Sequence, residues 1–321
     1  MAGGIAVNVE KNGPMMQPLA CLNGRFLSAD EVQLPIHDAG LVSGVTVTDY
    51  CRTYAGRLFR WPDHLARFRR DCAACFIPLP WADNELTDLA EQLIRCNLTG
   101  QPAGGELALV MFATPGSLGS YAPVPKPDGP PTLVLHTLPL SLARYRRFFT
   151  EGAVLAIAGH HAADPEDLAP PSIKHRSRLH WWRAGHLLQQ RSDVPAGAVA
   201  LLTAGPGGPL TETAIGHVLL VQNQRLVTPP ATRVLAGISL QVVRELAADL
   251  GLAMCERDLT LADCATASEA LLCGSAFGVA GVRWLEGQCF PWPGPITRRL
   301  QEAWSGRVGL DIVAQMRNAT V

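Results

Sequence analysis

Lysine is almost missing from this sequence. Of its 27 basic residues only Lys11, Lys126 and Lys174 are lysines, and the rest are arginines. Excess charge is missing too. A formal net charge of −1 and a pI near 6.7 exclude a general attraction to nucleic acid or anionic membrane. They leave a small molecule, or a second copy of the chain, as the expected partner. The longest uncharged run, "LALVMFATPGSLGSYAPVP", is broken by proline, glycine and serine, so it reads as strand and loop rather than a membrane span. The start, "MAGGIAVNVEKNGPMM", has no basic-then-apolar pattern, and no signal peptide is expected. The nine cysteines are odd in number and follow no disulfide framework, which predicts reduced thiols, mostly buried, and a cytoplasmic location. "GPGG" lacks the lysine and hydroxyl residue of a P-loop, and no H-E-x-x-H spacing accompanies His160, His161, His175 and His180 as metal ligands. "CAAC", Cys72 to Cys75, is a lone pair on an apolar helix face and reads as core packing.

What is present is a globular chain. At 321 residues, with 48% hydrophobic and 17% charged residues, it has room for two cores. Asn23-Gly24 and Ala55-Gly56 mark turns between alternating strand segments. Pro62-Asp63 opens a helix with Leu65, Phe68 and Cys72 along one face, and a second helix is expected over Asp83 to Asn97. "ELALVMFAT" and "PTLVLHTLPL" read as buried strands. After "SLARYRRF" the pattern restarts: a strand in "GAVLAIAGHH", a helix running to Gln190, and a strand meander with turns at Gly207-Gly208 and Asn223-Gln224. An amphipathic helix from Gly237 follows, ended by Gly251, then two more strands and a closing helix from about Pro295. No internal repeat is visible. Antiparallel hairpins mixed with helices place the fold in the α+β class.

Four features could carry chemistry. Lys174 stands behind "PPSI" and ahead of a helical segment. Lysine, unlike arginine, can be neutral near pH 7 when desolvated and then act as nucleophile or base; otherwise it is a solvated surface cation. Glu212, in "GGPLTETAIGHVLLV", is an acid in an uncharged strand pattern. It faces solvent from an edge or meets a buried cation. Ser239, after Gly237, lies in the first turn of a helix, where free N–H groups favour phosphate. "LLCGSAFGVAGV" is a small-residue turn after a buried strand.

In this order the pieces resemble the class IV aminotransferases, the fold-type IV pyridoxal phosphate enzymes. These include branched-chain and D-amino acid aminotransferases and aminodeoxychorismate lyase. The resemblance runs from about Cys21 to about Leu300. It rests on "LNGRFLSADEVQLPIHDAGLVSGVTVTDYCRTYAGRLFRWPDHLARF", "KHRSRL", "LTETAIGHVLLVQNQRLVTPPATRVLAGIS" and "PGPITRRLQEAW". It implies a small α/β domain over residues 1–137, a connector at 138–147 and a larger pseudo-barrel domain over 148–321, with pyridoxal 5′-phosphate between the domains. Lys174 would carry the cofactor covalently and move the substrate Cα proton. Glu212 would face the pyridine nitrogen. Arg67, Ile238 and Ser239 would hold the phosphate, with Ser275 and Ala276 contacting phosphate and substrate. A homodimer is the family's usual state.

Several residues depart from the family. Ala113 and Thr114 stand where D-amino acid enzymes and the lyase often carry a carboxylate-binding arginine. Thr48 and Asp49 replace an aromatic and a glutamate, His217 replaces a frequent asparagine, and His160 and His161 stand where arginine or small polar residues are common. Thr48, Thr114 and Ala276 are the expected substrate-pocket residues. "KHRSRL" is closer to the lyase pattern, with Ser177 in place of an asparagine. Aminotransferase is the main reading, with lyase as the alternative and a ligand-binding homologue without catalysis as the non-enzyme reading.

Overall fold

The computed structural model describes residues 17–102, 104–161, 168 and 170–319; Lys11 and the leader segment lie outside them. The first half contains strands β1 (Leu19–Leu22), β2 (Arg25–Ser28), β3 (Val47–Tyr54), β4 (Arg57–Leu58), β5 (Leu107–Thr114) and β6 (Thr132–Pro139). Its helices are α1 (Ala39–Val42), α2 (Trp61–Ala74) and α3 (Asp83–Leu98). The strands form one antiparallel sheet in the order β2-β1-β6-β5-β3-β4. The tight turns sit where the glycines predict them. Asn23 and Gly24 (φ 50° and 81°), like Ala55 and Gly56 (φ 48° and 73°), take the left-handed pairs that suit two-residue hairpins. Leu65, Phe68 and Cys72 of α2 and Leu86 and Leu93 of α3 pack on the sheet against Leu109, Met111, Leu133 and Leu135. Each large side chain so buried contributes about 1.5–3 kcal/mol. Cys72 is part of that core, and all nine cysteines are free thiols.

The second half runs α4 (Arg146–Thr150), β7 (Ala153–His161), α5 (Leu179–Gln189), β8 (Val199–Ala204), β9 (Leu210–Thr213), β10 (Gly216–Gln222) and β11 (Arg225–Thr228). It continues with α6 (Ile238–Asp249), β12 (Met254–Glu256), α7 (Leu261–Thr266), β13 (Glu269–Gly274), β14 (Gly278–Leu285), β15 (Gln288–Cys289), α8 (Pro295–Val308) and α9 (Ile312–Arg317). These strands form a mixed nine-stranded sheet. Because β9 pairs with both β8 and β10, the strands β10, β13, β14, β7, β8 and β9 close into a ring, the barrel-like body. Leu155, Leu201, Leu210, Val218, Leu272 and Phe277 belong to one core of this body. Helices α6 and α8 cover the outside with Val242, Leu246, Leu300 and Trp304.

The two halves are tied together at several places. The Thr48 N–H donates to the Lys174 carbonyl at 2.8 Å and the Arg176 N–H to the Thr46 carbonyl at 3.0 Å, so the Lys174 loop docks on the start of β3. From the same strand the buried Arg52 guanidinium donates to the Ala276 carbonyl at 2.9 Å and to Gln315 Oε1 at 3.1 Å.

Candidate functional site

One face of α2 carries charge where its neighbours are apolar. His64, Arg67 and Asp71 are spaced three and four apart, so they share the buried stripe with Leu65, Phe68 and Cys72. Arg67 meets Asp49 of β3 through two parallel bonds, Nε to Oδ2 at 2.8 Å and Nη2 to Oδ1 at 2.9 Å, and Nη1 donates to the Ala236 carbonyl at 2.9 Å. His64 Nδ1 lies 2.7 Å from the same Asp49 Oδ1. Burial pushes the Asp49 carboxyl up, but Arg67 and His64 outweigh it and hold the group well below the usual carboxylate range. Breaking a buried pair leaves a charge uncompensated. Asp49→Asn is therefore expected to lower stability by about 3–5 kcal/mol in urea unfolding. An unchanged unfolding midpoint would show that Arg67 is satisfied without its carboxylate.

Asp71 works on the backbone. Its Oδ2 accepts the Lys174 N–H at 2.9 Å, while Thr48 holds the Lys174 carbonyl. Lys174 is thus fixed from both sides through its peptide groups, and its side chain is left for the cavity. Lys174 keeps part of its surface open to that cavity, while the amine end is enclosed. Burial lowers its pKa from the usual lysine range to about 8, with the Arg67 cation adding to the effect and Asp49 opposing it. This is the condition a nucleophilic or basic lysine needs.

Glu212 on β9 stands directly across from His217 on β10. Glu212 Oε2 accepts the Leu235 N–H at 3.3 Å and lies 3.6 Å from His217 Nε2. Burial pushes the Glu212 carboxyl up to about 7, against the pull of the Leu235 N–H and the Lys174 amine. Burial also takes His217 down to about 4, so this ring is neutral at pH 7 and its Nε2 donates to the Leu235 carbonyl at 2.7 Å. The His217 ring packs on Gly237, the residue before α6. A Cβ at Gly237 would come within 2.3 Å of His217 Cε1, so only glycine fits there. No side chain caps α6, and the N–H groups of its first turn have no partner within the helix.

These pieces surround one cavity of about 350 Å³. Arg67, Lys174, Glu212, Ile238, Ser239 and Ser275 all line it, as do Thr48 and Ala276. Thr114 does not. Its Oγ1 accepts the Gly116 N–H at 3.1 Å and its methyl group fills the space beside Gly40, four positions beyond Val110, the β5 residue that lines the cavity. Lys126 is exposed in the β5–β6 loop, away from the cavity. The structure adds His64, Asp71 and Arg178, and gives partners to Asp49 and His217, which the sequence marked only as departures from the family pattern. Charged residues falling on the apolar stripe of α2 were a usable signal for three groups there, whereas nothing local marks Arg178. A near-neutral amine, a raised carboxyl and an arginine beside an open helix N-terminus can hold an aldehyde, a ring nitrogen and a phosphate respectively.

Comparison with known proteins gives the same direction. A family model described as "Amino-transferase class IV" matches residues 46–285. D-alanine aminotransferase of Staphylococcus aureus (strain N315) is 27% identical over 288 residues, covering 88% of this chain and 95% of its own. Among solved structures, 4-amino-4-deoxychorismate lyase from Pseudomonas aeruginosa is 28% identical with a TM-score of 0.72, covering 91% of this chain and 100% of that one. The branched-chain amino acid aminotransferase of Escherichia coli shares the fold, with a TM-score of 0.77 at 20% identity, covering 90% of this chain and 94% of that one.

Proposed function

This chain belongs to the class IV aminotransferase family, whose members use pyridoxal 5′-phosphate, and from that premise we propose that it moves an amino group between an amino acid and a 2-oxo acid with Lys174 at the centre of the reaction. The observation that carries this reading is the enclosed Lys174 amine, with its pKa near 8, sharing a cavity with Arg67, an uncapped helix N-terminus and Glu212.

The residues present fit the cofactor. Arg67 reaches the turn before α6 through the Ala236 carbonyl, Gly237 keeps that turn open, and the N–H groups of Ile238 and Ser239 complete an anion cradle for the phosphate. Glu212 would accept a hydrogen bond from the protonated pyridine nitrogen, and neutral His217 holds the carboxylate's surroundings in place. When bound, the cofactor ring supplies a sink for the electron pair left when the substrate Cα–H bond breaks. Lys174 would carry the cofactor, take up the Cα proton and return it. Ser275 and Ala276 supply donors on the β13–β14 turn, which Arg52 fixes from β3, and Thr48 closes the wall beside them.

A second reading has its own support. "KHRSRL" and the likeness to the Pseudomonas lyase favour pyruvate elimination from aminodeoxychorismate. The finer expectations, a homodimer in the cytoplasm, draw support from the exposed Ile36, Leu41, Tyr121 and Val124 and from nine free thiols. No helix among the described residues is long and apolar enough to cross a membrane.

The test is a visible spectrum of purified protein with pyridoxal phosphate, borohydride trapping and peptide mapping. An amino-donor panel that includes aminodeoxychorismate follows. A reducible chromophore mapped to Lys174, with oxo acid made from a donor, is the expected result. Pyruvate released from aminodeoxychorismate alone would select the lyase. A label on Lys11 or Lys126, or no chromophore, would overturn the assignment and favour a binding protein without catalysis.

A further inference from the structure

Arg67 and the first turn of α6 belong to different halves of the molecule, and the distance between them depends on how α2 sits against α6. Apolar packing between the two helices does not set it. Among the described residues, Leu65, Phe68 and Cys72 of α2 belong to the core of the first sheet, whereas Val242, Val243 and Leu246 of α6 belong to another core. Ahead of α2, Tyr54 and Phe59 reach into that second core. Beside α2 itself lies a cavity of about 410 Å³, lined by Asp63, Ala66 and Arg67 on one side and Gly237, Gln241 and Arg244 on the other. Two polar rungs span this gap. At one end Arg67 Nη1 donates to the Ala236 carbonyl at 2.9 Å. Seven residues earlier, about two turns back along α2, Arg60 meets Glu245 of α6 in a fork, Nη2 to Oε1 at 2.8 Å and Nη1 to Oε2 at 3.1 Å. Arg60 Nε also holds Asp63, and Glu245 is shared with Arg307 of α8, which bonds Asp249 at 2.7 Å. Arg60 and Glu245 are 25% and 34% exposed, so the pair is screened less than one on the open surface. Arg60 also has a left-handed backbone, φ 60° and ψ 33°, at the N-cap of α2. That conformation is uncommon for arginine and persists where the surroundings hold it, as the carboxylates of Glu245 and Asp63 do here.

We propose that Arg60 and Glu245 are positioning residues for the phosphate cradle: their ion pair sets how far α2 stands from α6, and so how far Arg67 stands from the Ile238 and Ser239 N–H groups. This rests on the assignment of the phosphate site given above. Neither residue lines the cavity that holds Lys174, so both act through Arg67 and the start of α6 rather than on a ligand. The fork fixes direction as well as distance, since two parallel bonds resist rotation of one helix against the other. Without it, the separation beside the gap falls to the rung at Ala236, a single bond from the same guanidinium that would take the phosphate.

Absorbance titration of the full chain, stripped of cofactor, tests this with pyridoxal phosphate and with pyridoxal, which lacks the phosphate. Arg60→Asn removes the fork and supplies a residue that suits both the left-handed backbone and the helix N-cap. Glu245→Gln removes the charge on the other side. Each is expected to weaken pyridoxal phosphate by about three- to tenfold and to leave pyridoxal binding unchanged. The double variant should bind no more weakly than the weaker of the single ones, because the same pair is lost once. Native affinity for pyridoxal phosphate in both variants, equal weakening of the two compounds, or additive losses in the double variant overturns the proposal. Should Arg60→Asn not fold, Glu245→Gln alone decides. Weakening confined to pyridoxal phosphate at an unchanged unfolding midpoint supports the role, and native binding overturns it. The native protein separates the two readings. Equal affinity for pyridoxal and pyridoxal phosphate there defeats the phosphate assignment itself, whereas a clear preference for the phosphate that survives in both variants defeats only the positioning role.

Discussion

Lys174→Ala is expected to lose turnover by at least the 10²–10⁴-fold that a positioned acid–base group contributes, and to lose covalent retention of the cofactor as well. The structure makes this a clean substitution. The bonds that hold residue 174 run through its N–H to Asp71 and its carbonyl to Thr48, and alanine keeps both. What disappears is the amine. Its value lies in its surroundings. With a pKa near 8, about a tenth of it is neutral at pH 7, against about one part in three thousand for a lysine in its ordinary range. Burial supplies most of that shift and the Arg67 cation adds to it, so the arginine proposed to hold the phosphate would also help to activate the lysine. Lys174→Arg should be as inactive as alanine, because a guanidinium keeps its proton. Steady-state turnover of both variants, with circular dichroism to confirm folding, decides the matter. Activity near the native level in either would remove Lys174 from the centre of the site.

Much of this was legible along the chain, and what was not had a common cause. The turns at Asn23-Gly24 and Ala55-Gly56, the helix opening at Pro62 and the helix starting at Ile238 follow from local chemistry, and the structure has them. Lys174 and Glu212 stood out because each was chemically out of place among its neighbours. Asp71 did not, since its partner is the backbone of a residue 103 positions away. The pairing of β9 with both β8 and β10 also has no local signature, and it is what sets Glu212 opposite His217. Thr114 lies outside the cavity for a register reason. Alternation places it on the same face of β5 as Val110 and Phe112, but the cavity ends before the strand does. Short elements such as α1, α7 and α9 carry too few residues for a period to show.

Glu212→Gln is expected to separate binding from chemistry. Glutamine keeps the volume and can still accept the Leu235 N–H, and the groups proposed to anchor the phosphate are untouched, so the cofactor should stay bound. Turnover should fall by about 10- to 100-fold, the equivalent of the 1.5–3 kcal/mol that a hydrogen bond to a charged group contributes. The direction follows from the site's own electrostatics. Burial raises the Glu212 carboxyl to about 7, so near neutral pH its ionisation is poised. A cationic ring nitrogen bound beside it would favour the ionised form, and by the same coupling the Glu212 carboxylate would hold the proton on that nitrogen. His217 cannot replace that charge, being neutral down to about pH 4. The amide has no charge to give, so the Glu212→Gln variant would not hold a proton on a ring nitrogen bound beside it, and the electron sink would be weakened. Single-turnover rates with an amino donor, measured alongside cofactor content, should therefore show a slowed reaction in a fully loaded protein. Native rates in Glu212→Gln would place the ring nitrogen elsewhere in the cavity. Cofactor and rate lost together would mean that Glu212 serves retention rather than the proton on the ring.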